Sequence, residues 1–299
     1  MITNYETNKV WISPGLFSSY YIIQCCSCAH TLMGAMERRD IQFNLLPETA
    51  SPLHIWVRDF MPIQVNKEKF VLFRYEPDYL KDHPLYKPDI NKILERIDIK
   101  VVKSDIVLDG GNVISCGDKV IMTDKIFKEN PQYPSDILID KLKGLLEAEP
   151  VIIPWDKYEM YGHSDGMVRY IEPGKVLINN YIDYDRSFRK KLISALEPHF
   201  EIKELHFPSR TKSSWAYLNF LHVGNHIFVP ILDVKNDKKA LQQIDEAFPS
   251  CDVIPVMYWY KIVRLGGAIN CTTWNILTDK ILEVHEHWDR IWDFIKKIQ

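Results

Sequence analysis

Five side chains scattered along the sequence have the types needed for covalent chemistry on a cation: Cys271, His163, Asp59, Asp109 and Asp165. A cysteine is a nucleophile only as its thiolate. A histidine can give and take protons near neutral pH. Three carboxylates converging on one cavity repel each other unless a cation or hydrogen-bond donors sit among them. A guanidinium suits such a place, being flat, permanently charged and rich in N–H donors that two carboxylates can grip in forked geometry. The third carboxylate would then orient the histidine. Taken singly, each residue has an ordinary reading: Cys271 as packing, Arg58-Asp59 as a structural ion pair, Asp109-Gly110-Gly111-Asn112 as a turn. Their joint placement is what raises them above it.

That placement comes from a repeat of about 50 residues. Residues 106–155 read as an apolar strand (106–108), the Asp109-Gly110-Gly111-Asn112 segment, a turn at Cys116-Gly117-Asp118-Lys119 and a second strand (120–122). A helix over 135–147 and a closing strand (150–154) follow, the helix carrying apolar residues at helical spacing. The same order recurs with strands at 167–171 and 176–178, a helix at 187–196 and a strand at 202–207. It recurs again with strands at 216–223 and 227–230, a helix at 238–248 and a strand at 253–258. A looser copy has strands at 61–65 and 70–75 and a helix at 90–97. The first stretch has strands at 10–13 and 41–46 around a helix at 16–38, and a last helix is expected over 285–297.

A unit this small cannot bury its own sheet, so five units around an axis, each covering its neighbour, is the favoured architecture: an α/β fold of five blades forming one domain over residues 1–299. A single twisted α/β sheet is the alternative. In the radial reading each unit's first strand lies nearest the axis. The polar segments Trp56-Val57-Arg58-Asp59, Asp109-Gly110-Gly111-Asn112, Gly162-His163-Ser164-Asp165-Gly166 and Gly266-Gly267-Ala268-Ile269-Asn270-Cys271 fall at those strands and so face one central cavity. His163 and Asp165, two apart on a strand, would point to the same side.

Bulk properties narrow the function. The 299 residues are 46% hydrophobic and 26% charged, in the range of a globular protein. Charge is nearly balanced, 37 Lys+Arg against 40 Asp+Glu for a net −3, which leaves no basic footprint for nucleic acid. No apolar run approaches the roughly 18 residues of a membrane span. Residues 1–10 lack the basic start and apolar stretch of a signal peptide, so a cytosolic location is expected, with the six cysteines as thiols. Cys25, Cys26 and Cys28 with His30 invite a metal reading, but no second ligand pair of standard spacing accompanies them. Small buried hydrophobes in a helix are the better account.

At the residues quoted, the sequence resembles the agmatine deiminase and bacterial, Porphyromonas-type peptidyl-arginine deiminase family of the guanidine-modifying superfamily (the penteins). The matching pieces are Trp56-Val57-Arg58-Asp59 with Pro62, Asp109-Gly110-Gly111-Asn112, Gly162-His163-Ser164-Asp165, Tyr217-Leu218-Asn219-Phe220, and Gly266-Gly267 with Cys271. They occur in the family's order and span most of the chain. The resemblance implies a five-bladed α/β propeller. It makes Cys271 the nucleophile, His163 the general acid and base, Asp109 its brace, and Asp59 and Asp165 the guanidinium holders. Trp56 and Arg58, in the same motif as Asp59, are further candidates to touch substrate, as is Arg264; bracing strands is the other reading for all three, and the better one for Arg58. Tyr217 to Phe220 carries no chemical role. The chain departs from the family pattern at Met61 before Pro62, at Ala268 and Asn270 before the cysteine, and at Tyr158-Glu159-Met160-Tyr161 ahead of Gly162-His163.

The implied reaction is attack of the thiolate on the guanidinium carbon, loss of ammonia, and hydrolysis of the resulting thiouronium to a ureido product, with no metal or cofactor. An amidinotransferase would use an amine in place of water. A non-catalytic binding protein on the same scaffold and a thiol hydrolase acting on amides are the other readings. The partner expected is a small cationic guanidine.

Overall fold

The computed structural model describes residues 1–17, 22–47, 54–82, 86–157, 159, 161–207, 213–232 and 234–280, without the side chains of residues 22–26. The helix expected over 285–297 lies outside these, as do Tyr158, Met160 and the side chains of Cys25 and Cys26.

Among the described residues, five separate three-stranded sheets replace the alternative of one twisted sheet. Each has a central strand paired antiparallel on one side and parallel on the other. Lys119–Thr123 lies between Ile114–Ser115 and Glu149–Ile153, and Lys175–Ile178 between Val168–Glu172 and Glu201–Glu204. His226–Pro230 lies between Leu221–Val223 and Asp252–Val256, and Phe70–Arg74 between Ile63–Gln64 and Val102–Val107. An antiparallel partner needs only a hairpin, whereas a parallel one needs a crossover. The helices Ser135–Leu146, Arg186–Leu196, Asp237–Ala247 and Ile90–Arg96 supply the crossovers. Three hairpins turn on a glycine in the left-handed region, Gly117, Gly174 and Gly224. The fourth uses Asn66, whose Oδ1 accepts from Glu68 N (3.0 Å) and Lys69 N (2.9 Å).

The remaining sheet joins the two ends of the repeat. Lys9–Ile12 runs parallel to Gln42–Leu45 across the helix Ile22–Glu37, and antiparallel to Thr273–Ile276. The first unit therefore takes its first strand from the far end of the sequence, which the repeat pattern does not reveal.

Burial follows a cycle. One apolar cluster joins Trp11 and Trp274 to Phe70 and Leu72, a second joins Val71 and Phe73 to Val120 and Met122, and a third joins Ile121 and Val151 to Val168 and Val176. A fourth joins Leu177 to Ile227 and Val229, and the fifth returns from Phe228 and Ile254 to Val10 and Ile12. Each cluster includes apolar positions of a crossover helix, such as Leu138, Leu142 and Leu146. Burying each such side chain contributes roughly 1.5–3 kcal/mol, so neighbouring units stabilise one another.

Several element bounds shift. Residues 106–108 do not open a unit, because Val102–Val107 closes the preceding sheet and the next one opens at Ile114–Ser115. The expected strand at 216–223 is a short helix, Trp215–Leu218, and then a strand, Leu221–Val223. Residues 14–17 form a 3-10 turn where the helix expected from residue 16 would begin, and that helix is described over Ile22–Glu37. The change at 216–223 is part of a pattern. The polar residues before each first strand form short turns, which apolar patterning reads as strand.

Candidate active site

Those turns carry the candidate residues. Asp59 lies on the helix Val57–Phe60 before Ile63, and Asp109 caps the 3-10 turn Gly110–Asn112 before Ile114. His163 caps the 3-10 turn Ser164–Gly166 before Val168, Asp165 lies within it, and Cys271 precedes Thr273. His163 and Asp165 are thus not two positions of a strand. His163 turns toward Asp109, and Asp165 toward Cys271.

Cys271, His163, Asp59, Asp165 and the half-buried Trp56 line one cavity with about 370 Å³ of empty space. The four chemical groups are buried, as is Asp109 behind them. His163 Nε2 lies 3.0 Å from Asp109 Oδ2, and its Nδ1 lies 3.6 Å from Asp59 Oδ1. Its backbone N–H donates to Glu159 Oε2 at 2.9 Å. Tyr79 Oη–H donates to Asp109 Oδ2 at 3.2 Å, and Gly111 N–H to Asp59 Oδ1 at 3.1 Å.

The thiol meets Asp165, with Sγ 3.6 Å from Oδ2. The same oxygen accepts from Asn219 Nδ2 and Asn270 Nδ2, both at 2.8 Å. Asn219 Oδ1 in turn accepts from Ala268 N–H (3.1 Å) and Cys271 N–H (3.3 Å). One amide therefore ties the nucleophile's backbone to the carboxylate beside it. The neutral donors let Asp165 stay buried beside a thiol at tolerable cost.

The glycines ahead of the cysteine serve close approach. A Cβ on Gly267 would lie 2.3 Å from the Trp56 ring, and one on Gly266, at φ +99°, would lie 2.6 Å from the Tyr161 hydroxyl.

Electrostatics set the resting protonation. Burial opposes charge on His163, but Asp59, Asp109 and Glu159 outweigh it and raise the imidazole to about 10. Burial, with Asp165 and Asp59 adding to it, pushes the Cys271 thiol well above its ordinary value. These directions favour an imidazolium and a neutral thiol. A cation placed between Asp59 and Asp165 would remove the repulsion that keeps the thiol protonated.

Arg58 does not join this cavity. Its backbone N–H donates to Cys271 O at 3.1 Å, but its guanidinium donates to Asn270 O and Asn275 Oδ1 and lines a second cavity. The expectation that it touches substrate is corrected, since the short helix Val57–Phe60 sends neighbouring side chains to different sides. Sequence reasoning also missed Asn219, Asn270, Glu159, Tyr79, Tyr161 and Trp215. Asn219 could have been found by its phase, two residues before a first strand. Among the described residues no group of His, Cys, Asp and Glu is arranged to hold a metal, and no helix is long and apolar enough to cross a membrane.

The five small sheets are the fold of the guanidine-modifying superfamily, the penteins. Within it, residues 26–276 match the Porphyromonas-type peptidyl-arginine deiminase family, and the chain belongs to that family. It is 26% identical over 224 residues to an agmatine deiminase of Medicago truncatula, covering 61% of this chain and 60% of that one. It superposes on the agmatine deiminase of Enterococcus faecalis with a TM-score of 0.75 at 19% identity, covering 94% of this chain and 96% of the other. An amidinotransferase of Microseira wollei gives 0.62 at 12% identity, over 96% and 99%. Matches to the first curated relatives span 56–62% of their own length.

Proposed function

We propose that the chain is a deiminase, with Cys271 attacking the guanidinium carbon of a small arginine-like substrate and ammonia leaving. The observation that carries this reading is the pairing of Cys271 Sγ with Asp165 at 3.6 Å in one cavity with an imidazole set between Asp109 (3.0 Å) and Asp59 (3.6 Å). Asp59 and Asp165 hold the planar cation, whose charge lowers the thiol's proton affinity so that the proton leaves for solvent. The thiolate adds to carbon, and His163 protonates the departing nitrogen. The C–N bond breaks and a thiouronium remains on sulfur. His163, now neutral, takes a proton from water, whose oxygen adds to the same carbon. Expulsion of the thiolate gives the ureido product. Asp109 keeps the imidazole aimed and favours its charged form.

The cavity also favours a substrate tail without a carboxylate. Its lining offers Glu159 and the rings of Trp56, Tyr79, Tyr161 and Trp215, and no lysine or arginine among the described residues. An amine-tailed guanidine such as agmatine meets that wall better than free arginine, in keeping with the names of the relatives.

The five sheets act as blades of a propeller around this site, which the cyclic sharing of apolar clusters supports. A single domain over residues 1–299 is supported by the pairing of Lys9–Ile12 with Thr273–Ile276. A cytosolic location suits a catalytic thiol, which a reducing compartment protects.

Ammonia release across agmatine, arginine and an arginyl peptide, with and without an added acceptor amine, tests the reading. Agmatine should react best, and Cys271→Ala should lose at least about 10³-fold in rate. Equal release by Cys271→Ala would remove the mechanism, and a new guanidine formed on the added amine would make the chain an amidinotransferase.

A further inference from the structure

Behind the wall that carries Cys271 lies a second cavity with about 560 Å³ of empty space, lined in part by Arg58, Arg169, Ser115, Gln64, Asn270 and Asn275. Its charge is opposite to that of the first. Arg169 is only 2% exposed. Its guanidinium stacks 4.4 Å over the Phe220 ring, and Nη2 donates to Phe220 O at 2.9 Å. The arginine ion pairs among the described residues are Arg39–Asp252, Arg74–Glu76 and Arg189–Glu204. Neither Arg58 nor Arg169 forms an ion pair with a carboxylate among the described residues. Ser115 Oγ is buried there with no partner.

A buried permanent cation without a counter-charge costs several kcal/mol. The carboxylates of the first cavity relieve part of that cost at long range, but they lie beyond Asn270 and give the guanidinium forks nothing to bind. Burial holds the Arg169 guanidinium down to about 10, Asp165 working against this and the like charge of Arg58 adding to it. The unused N–H donors of both arginines and the free hydroxyl of Ser115 offer a small acceptor several charge-assisted bonds at once.

We propose that this second cavity is an anion site, in which a small monovalent anion sits between the guanidinium groups of Arg58 and Arg169 with Ser115 Oγ as a further donor. Formate and bromide are the probes, since the site's chemistry is shared by a small carboxylate and a halide.

At constant ionic strength, replacing sodium gluconate by sodium formate or bromide should raise Tm saturably, by about 2–4 °C. A bromide soak should place anomalous density between the two guanidiniums. Arg169→Met should lose the response to both anions. Ser115→Asp, which supplies a carboxylate from within, should raise Tm in gluconate and abolish that response, and it tests the site even if Arg169→Met does not fold. Density at neither arginine, or a Tm response left intact in Ser115→Asp, would overturn the site. A response to bromide alone would make the anion a halide, and a response to formate alone a carboxylate. All these readouts are independent of catalysis.

Discussion

The two cavities sit back to back and differ in sign. Chain neighbours part company between them: Asp59 and Cys271 face the first, and Arg58 and Asn270 the second. The first concentrates carboxylates, each with at least one donor, although Asp109 Oδ1 is buried without one. Asp59 has Gly111 N–H, Asp109 has His163 and Tyr79, and Asp165 has two asparagine amides. The second concentrates guanidinium groups with few partners. Dense hydrogen bonding fixes positions to a fraction of an ångström, which covalent chemistry needs. An open set of donors fixes little and leaves room for a ligand. One layer of backbone thus separates a place built to orient a reaction from a place suited to hold an ion.

The sharpest way to break this contrast is to remove one charge from the front. In Asp165→Asn the guanidinium loses a holder, and kcat/KM for a guanidine substrate should fall by at least about 10³-fold. The same change removes a charge that keeps the thiol protonated. Alkylation of Cys271 by iodoacetamide at pH 7 should therefore become several-fold faster. A carboxylate that merely braced the fold would slow catalysis without speeding alkylation.

Gly111→Ala tests position instead of charge. The added Cβ would lie 2.6 Å from both Asp59 Oδ1 and His163 Nδ1, and neither atom belongs to a freely moving side-chain end. Forcing the two apart should cost about 10²-fold in kcat, with a far-UV spectrum like wild type. Unchanged kcat would show that the separation of Asp59 and His163 is not part of the chemistry.

Much of this front cavity is legible in the sequence, because charged and nucleophilic residues recur at one phase of a repeat whose helices and central strands are strongly patterned. Asp59, Asp109, His163, Asp165 and Cys271 stand out against apolar neighbours. Asn219 does not, since a neutral amide between Leu218 and Phe220 looks like an ordinary break before a strand. Glu159, Tyr79 and Tyr161 come from connections outside the repeat phase, so periodicity says nothing about them. Closure of the first sheet by Thr273–Ile276 is likewise hidden, because its pairing is between opposite ends of the chain. Arg58 misleads for a further reason. Its neighbour in the motif faces the site, but a turn of helix sends adjacent side chains in different directions.

Asn270 stands in the wall between the cavities, its amide on Asp165 and its carbonyl oxygen accepting from Arg58. Asn270→Ala leaves Asp165 with one amide donor instead of two. Losing a hydrogen bond to a buried charge costs about 1–3 kcal/mol. The variant should unfold at lower urea, and its kcat/KM should drop about tenfold or more. Asn270→His, which keeps a side-chain N–H donor at this position, should recover part of the activity if a donor toward Asp165 is what matters.

The pH dependence of stability separates the two regions most gently. His163 is raised from 6.5 to about 10 by its carboxylates against the pull of burial. A group raised on folding adds stability that is complete below its unfolded value and is lost as pH climbs through the folded one. The contribution of His163 should therefore fade from about pH 6.5 to about pH 10, with a slope of at most about 1.4 kcal/mol per pH unit. Asp59, raised to about 7 chiefly by burial, loses its own contribution between 3.8 and about 7. The thiol's ordinary value is 9.0, and Arg169 keeps its charge to about 10. In His163→Gln alone, Asp59 would lose the imidazolium that holds it down and would titrate between pH 7 and 9. Urea unfolding in this window is therefore compared without that carboxylate: Asp59→Asn should lose stability through the imidazole, whereas Asp59→Asn/His163→Gln should be nearly flat. Parallel lines for the two proteins would mean that the imidazole is neutral in the folded site, and the proton that leaves with ammonia would have to come from elsewhere.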